Sequence, residues 1–419
     1  MACRYNNKMT KFDAVVLGGG IVGVSAAIHL QRRGVSVALV DKREPGRETS
    51  FGNAGLIQRE GVYPYAFPRG MKAMLKYAAN RSPDVRYHFS ALPSIAPFLS
   101  RYWYHSAPHR HAEIARQYSA IIEHCVDEHR SLVDLSGATA LLRDGGWLKV
   151  FRSAATFNAS VQEATKWRQE FDVPFELLDA KQLRASEPSL SHDLFGAVRY
   201  TSAKSLSDPG ALVEKFCDYF SSIGGRVFLG DARTLSPGWS VETREGTIQG
   251  RHVVLAAGPW SSVITDMLGY RLPLAVKRGY HRHYTLKQGA RLNQPVLDQE
   301  RGFLLAPMTR GVRLTTGVEF GLRDARHTPV QLAAVEPMAR SMLPMGEPIE
   351  SEPWMGCRPC TPDMKPVIGP APKHKDMWFA FGHAHHGLTL GPVTGRLIAE
   401  MITGERTLLD PTPFSADRF

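Results

Sequence analysis

The apolar run Phe12-Asp-Ala-Val-Val-Leu17 ends in glycines, and Val24-Ser-Ala-Ala-Ile-His-Leu-Gln-Arg-Arg33 then follows a helical pattern. Gly34 stops that helix, and Val35-Ser-Val-Ala-Leu-Val40 returns as a β-rich run closing on Asp41. The pattern predicts strand, glycine turn, helix and strand. Met71 to about Ser136 reads as helices broken at Pro83, Pro93, Pro97 and Pro108. Gly146 to Phe151 alternates like a strand, and Phe157 to Phe171 has a helical period.

Asp208-Pro209-Gly210 opens a helix through Phe220, with Asp208 as N-cap and Pro209 in the first turn. Arg226 to Leu229 follows as a strand. His252-Val-Val-Leu-Ala-Ala-Gly-Pro-Trp260 is apolar without alternation, as a central parallel strand would be. Alternation in Gly279 to Leu286 and Gly311 to Glu319 predicts an antiparallel sheet, with a helix over Thr328 to Met342. Met377 to Gly382 reads as a strand and Pro392 to Thr403 as an amphipathic helix, so the opening fold resumes at the C-terminus.

The glycines carry chemistry. Gly18-x-Gly20-x-x-Gly23 sits between strand and helix, and Asp41 falls roughly 20 residues on, the context of a dinucleotide-binding turn. Gly18 permits the tight turn, Gly20 lets backbone approach a pyrophosphate, and Gly23 lets helix lie close to strand. The helix N-terminus then faces the phosphates, and the Asp41 carboxylate can accept ribose hydroxyls.

The length of 419 residues allows two domains, and 43% hydrophobic with 22% charged residues is ordinary for a soluble enzyme. The net charge of +11 is not ordinary. It reads first as an arginine-rich solvated surface and second as attraction to anionic ligands or an anionic membrane. No nucleic-acid signature accompanies it. The aromatic and basic stretch Phe89 to His105 reads first as core packing and second as membrane contact. Met1 to Lys11 is polar, no run is long enough to span a bilayer, and five scattered cysteines suit a reducing compartment. The expected location is cytoplasmic, with the inner face of the cell membrane as the further option.

Several motifs stand in one order: the glycine turn, Thr49-Ser-Phe-Gly-Asn-Ala-Gly55, Ala256-Ala-Gly-Pro-Trp260 and Gly311-Val-Arg-Leu-Thr-Thr-Gly-Val-Glu319. Gly356-Cys-Arg-Pro-Cys-Thr-Pro-Asp363, Pro366-Val-Ile-Gly369 and Gly382-His-Ala-His-His-Gly-Leu-Thr389 follow. With these the chain resembles, over nearly its whole length, the FAD-dependent D-amino-acid oxidase superfamily, closest to the bacterial D-amino-acid dehydrogenase small-subunit type. The resemblance implies an α/β fold with a discontinuous Rossmann-like FAD-binding domain (10–60, 205–270 and 352–419). An inserted α+β substrate domain with an antiparallel sheet would take 61–204 and 271–351.

It also implies roles. FAD would lie along Gly18, Gly20, Ile21, Val22 and Gly23, with Asp41 at the ribose and Lys42 and Arg43 along the nucleotide. Thr49, Ser50, Asn53, Ala54, Gly55 and Leu56 would approach the pyrophosphate and isoalloxazine, with Ala232 at adenine and Ala257, Gly258 and Trp260 lining the dinucleotide. Gly382, His383, Gly387, Leu388 and Thr389 would pass the flavin pyrimidine, where helix-start amides stabilise negative charge on the reduced ring.

Arg358 is the candidate for a substrate carboxylate, because a guanidinium fork binds it bidentately; a structural ion pair is its plainer reading. Tyr280 and Tyr284 share one face of a strand and could close that site, or simply pack in a core. His383, His385 and His386 look like a metal cluster, yet their place in this family favours the flavin, so no metal is expected. His386 joins Arg358, Tyr280 and Tyr284 as a candidate catalytic residue. Cys357-Arg-Pro-Cys360 has no second pair to complete a zinc site. Relatives that oxidise sarcosine tether flavin through a cysteine at the position of Gly356, with Cys357 one residue off, so FAD is expected to be non-covalent. The implied reaction is hydride transfer from the α-carbon of a D-amino acid to flavin N5, with electrons passed to a quinone or respiratory-chain acceptor. Oxidation of a secondary amine, glycine, sarcosine or a hydroxyproline isomer is the alternative, and an electron-transfer flavin subunit a third.

Overall fold

A computed structural model describes residues 9–419; the expectations for the polar N-terminus and Cys3 fall partly outside them. Strand β1 (Thr10–Leu17), helix α1 (Ile21–Gln31) and strand β2 (Val37–Asp41) form the opening unit. Gly34 has φ +80° and turns the chain between α1 and β2. A seven-stranded sheet is built on this unit in the order Arg226–Leu229, β2, β1, Gly246–Leu255, Met377–Phe381, Val367–Pro370. The first five run parallel, while Val367–Pro370 and the off-path Ser240–Thr243 pair antiparallel. The unalternating run at 252–255 is thus a central parallel strand.

An eleven-stranded sheet forms the second layer. Its axis is β3 (Ala275–Leu286), flanked by antiparallel Gly311–Thr315 and Val318–Phe320 on one side and β4 (Trp354–Cys360) on the other. Helix Val330–Met342 packs on it through Leu332, Val335, Ala339 and Met342. β4 belongs to this second sheet, although its residues lie within the 352–419 segment.

Helix α2 (Gly387–Thr403) packs along α1. Gly391 and Gly395 make the approach possible: a Cβ on Gly395 would lie 2.5 Å from Ser25 C, and one on Gly391 2.8 Å from Ile21. α1 is therefore buried nearly all round, which suits its unbroken apolar and small residues.

Prolines mislead in two places. The helix expected from Pro392 begins at Gly387 and runs through Pro392. Proline leaves the carbonyl of residue i−4 without its helical donor, and here that carbonyl, Leu388 O, accepts from His129 Nε2 at 2.7 Å. Pro97 likewise sits inside Leu92–His105, which continues because Ile95, Phe98 and Tyr102 are buried on one face. The 71–136 region also contains a short strand, Val85–Tyr87, paired with Val318–Phe320. Asp208 caps Pro209–Ser222 as expected, accepting from Ala211 N at 3.0 Å.

Candidate active site

A cavity of about 1120 Å³ runs from the carboxyl ends of the parallel strands to the β3–β4 face of the second sheet. This is where ligands bind in open parallel sheets. At its first end Gly18 has φ +116°, and a Cβ there would lie 2.4 Å from Ala256 O. A Cβ on Gly23 would lie 1.8 Å from Gly18 O. Helix α1 has no side-chain cap at Gly20, and Ile21 N donates to Ser50 Oγ at 3.0 Å. Asp41 Oδ2 accepts from Gly19 N at 2.5 Å and Oδ1 from Arg43 N at 3.0 Å, which holds the carboxylate at the cavity wall. Burial raises its pKa above the ordinary value.

Gly18, Gly20, Ile21, Val22, Asp41, Lys42, Arg43, Thr49, Ser50, Asn53, Ala54 and Leu56 line this cavity, as do Ala232, Ala257, Gly258, Trp260, His383, Gly387 and Leu388. Gly23, Gly55, Gly382 and Thr389 do not, and they act on the backbone behind it. Thr389 Oγ1, for example, accepts from Gln58 N and donates to Leu56 O, both at 3.2 Å. The glycine cradle, the open helix start and the acid fit an extended dinucleotide.

At the other end, β3 and β4 offer Lys277, Gly279, Gly356 and Arg358. Residues opposed across an antiparallel pair share a face, and the register pairs Lys277 with Arg358 and Gly279 with Gly356. The Arg358 guanidinium folds over Gly279, where a Cβ would lie 2.6 Å from both Nη1 and Nη2. Nη1 donates to Arg278 O at 3.3 Å and Gly317 O at 3.2 Å. No carboxylate pairs with it among the described residues, so the plain ion-pair reading of Arg358 does not hold. Burial lowers its pKa.

The tyrosines lie otherwise than expected. Tyr284 is fully buried outside the cavity, donating to Glu336 Oε2 at 2.8 Å. Tyr280 borders the cavity, but its hydroxyl is engaged: it donates to Glu319 Oε2 (2.9 Å) and accepts from Arg278 Nη2 (2.7 Å) and Thr328 N (2.9 Å). Arg278 pairs with Glu319 at 2.9 Å on that same face, toward the Val330–Met342 helix. The strand turns its other face to the cavity.

His386 is also displaced from its expected place. It is buried outside the cavity, its Nδ1 2.8 Å from the Tyr118 hydroxyl. His385 takes the cavity position, its ring 4.6 Å from that of Tyr65. His383 Nε2 lies 3.0 Å from Thr394 Oγ1, while the rings of His385 and His386 lie 3.8 Å apart. Alternation also separates Gly356, on the cavity face, from Cys357, whose thiol turns to Arg323 O (3.8 Å) and Met355 Sδ (3.9 Å).

Three residues had no sequence signal for this role, Tyr65, Tyr102 and Lys277, and His385 had one only as part of the histidine cluster expected at the flavin. The Tyr102 hydroxyl donates to Tyr65 O at 2.6 Å. Lys277 is 6% exposed, its Nζ 4.0 Å from the Tyr102 ring centroid and 3.6 Å from Met364 Sδ. Burial lowers its pKa to about 8. Only the period-2 alternation of β3 could have pointed to Lys277.

A dinucleotide cradle joined to a carboxylate-sized cationic site defines a cofactor-dependent enzyme, and the chain belongs to the family of FAD dependent oxidoreductases, which it matches over residues 13–401. FAD is the cofactor of that family. The chain is 29% identical to a D-amino-acid oxidase of Bradyrhizobium diazoefficiens, over 96% of this chain and 98% of that protein. It is 25% identical to a D-amino acid dehydrogenase of Chromohalobacter salexigens, over 97% and 99%. In fold it is similar to glycine oxidase from Geobacillus kaustophilus, with a TM-score of 0.71 and 21% identity over 98% of this chain and 100% of that one.

Proposed function

We propose that the protein oxidises the carbon–nitrogen bond of D-amino acids and delivers the electrons to a quinone or similar acceptor. The observation that carries this reading is Arg358, a guanidinium without a carboxylate partner among the described residues, in the same cavity as the dinucleotide cradle. Its backbone contacts use Nη1, which leaves Nε and Nη2 for a bidentate carboxylate. Bound FAD supplies the two-electron acceptor for the substrate's CH–NH unit. The protein's part is orientation: Arg358 fixes the carboxylate, Gly279 lets the guanidinium lie flat, and Tyr65 and His385 border the space beside it. A neutral amine so held needs no side-chain base. The imine released is hydrolysed to the oxo acid and ammonium.

The same reading gives 10–60, 205–270 and 352–419 to FAD and 61–204 with 271–351 to substrate, except that Trp354–Cys360 joins the second sheet and brings Arg358 to the substrate side. FAD is held without a covalent bond, since the Cys357 thiol points away from the cavity. Relatives named both oxidase and dehydrogenase leave the acceptor to experiment. Peripheral contact with the inner membrane face is supported by exposed Met71, Leu75, Phe89 and Trp103, near Arg69, Lys72 and Arg101. No helix among the described residues is long and apolar enough to cross a membrane.

The test is anaerobic bleaching of the flavin by D- and L-amino acids and N-methyl amines, followed by oxygen or a short-chain quinone. Bleaching by D-amino acids and fast reoxidation by quinone are expected. Bleaching only by L-enantiomers or achiral amines removes the stereochemical reading, and stoichiometric peroxide without a quinone response makes the protein an oxidase.

A further inference from the structure

Lys277 is buried beside Arg358, and neither has a carboxylate partner among the described residues. Across an antiparallel pair, like charges directly opposite destabilise, and an ammonium taken from water without an anion is costly. The contacts that Lys277 does make are the Tyr102 and Phe320 rings, at 4.0 and 5.6 Å, and a thioether sulfur. A cation–π contact offsets only part of that cost. Burial accordingly lowers its pKa to about 8, which still leaves the ammonium protonated at neutral pH. Two cations are thus held on one cavity face with no anion of the protein between them.

Their heads diverge. Arg358 folds toward Gly279, and Lys277 lies instead with Tyr102, Phe320 and Met364. Residues 277 and 279 are roughly 7 Å apart along the strand at 3.4 Å per residue. A ligand bridging the heads therefore needs two anionic groups separated by a short chain.

We propose that Lys277 is a specificity-determining residue that binds the side-chain carboxylate of a four- or five-carbon acidic amino acid whose α-carboxylate is held by Arg358. The inference rests on the amino-acid oxidation proposed above and narrows its substrate to the aspartate and glutamate class. Lys277 touches only the distal carboxylate and takes no part in oxidation.

Two measurements on the holoenzyme test it. The first is kcat/KM for D-glutamate against D-glutamine, equal in shape and unequal in charge. A ratio above about 10 is expected, collapsing to about 1 in Lys277→Met and largely kept in Lys277→Arg. The second is binding without turnover: glutarate should raise the Tm more than butyrate does, and Lys277→Met should erase the difference. Equal rates with the two amino acids, or a ratio untouched by Lys277→Met, overturns the inference while oxidation of neutral amino acids stands. Equal loss of both substrates in Lys277→Met overturns it too, because both cations would then share one carboxylate. If no amino acid bleaches the flavin but the glutarate effect persists, the oxidation reading fails and the dianion site survives.

Discussion

Replacing Gly279 by alanine adds one methyl group beneath the guanidinium of Arg358. The new Cβ would lie 2.6 Å from Nη1 and Nη2 and 2.8 Å from Cζ, whereas ordinary contact begins at 3.4 Å. Gly279 lies in a regular strand without positive φ, so the backbone accepts alanine and the fork must retreat by about 0.8 Å. A misplacement near 1 Å at a positioning group costs up to about 100-fold in rate. We expect kcat/KM to fall about 10- to 100-fold, roughly 1.4 to 2.7 kcal/mol, with flavin content and Tm close to wild type. The assay is steady-state dye reduction in a double-mutant cycle with Arg358→Met. If the methyl acts through Arg358, Gly279→Ala adds little in the Arg358→Met background. Full additivity, or a Gly279→Ala enzyme with wild-type kcat/KM, refutes the argument, since the guanidinium would not be the group displaced.

Arg358→Lys should lose at least about 10-fold in kcat/KM, because a point charge cannot reproduce the fork, with the flavin spectrum held; unchanged kinetics would move carboxylate binding elsewhere. Heat or acid should release all flavin into the supernatant, and colour retained on the precipitate would point to a covalent tether. Glu60, 2% exposed, accepts from Gln58 Nε2 and Trp147 Nε1 through Oε1, and burial raises its pKa from 4.5 to about 7. Its contribution to stability is complete below pH 4.5, declines as the unfolded chain alone ionises, and is lost above about pH 7, a fall of about 3 kcal/mol. Glu60→Gln should lose that part of the fall when denaturant unfolding is compared at pH 5 and pH 8, and an unchanged pH profile would contradict it.

The dinucleotide end was legible because its chemistry is local. Gly18 and Gly23 answer to a turn and a close approach that no other residue permits, Gly20 stands at the open helix start, and Asp41 follows at a fixed interval. The substrate end depends on which face of β3 meets the cavity. Both faces are buried, with Arg278, Tyr280 and Tyr284 on one and Lys277, Gly279 and His281 on the other. Alternation alone could not rank them, and the aromatic face drew the reading away from Lys277. His385 and His386 differ by one step at the start of α2, where a small rotation exchanges cavity for core. Pro392 hid that start, since the compensating donor, His129, is distant in sequence. Arg358 was legible because a guanidinium fork matches a carboxylate and the residue stands in one of the motifs that carry the resemblance.

The glycine contact between α1 and α2 bears on how the cofactor is measured. Both helices begin at the cavity, and Gly391 and Gly395 lock them side by side. Their two N-termini therefore act as one rigid caliper. A ligand reaching both is bivalent, and its second engagement occurs at the high effective concentration set by the first. Riboflavin or ADP offered singly meets one jaw and forgoes that gain, about 10²- to 10⁴-fold in avidity. Adding the two fragments together does not restore it, because the linkage, not the sum of contacts, is what the caliper reads.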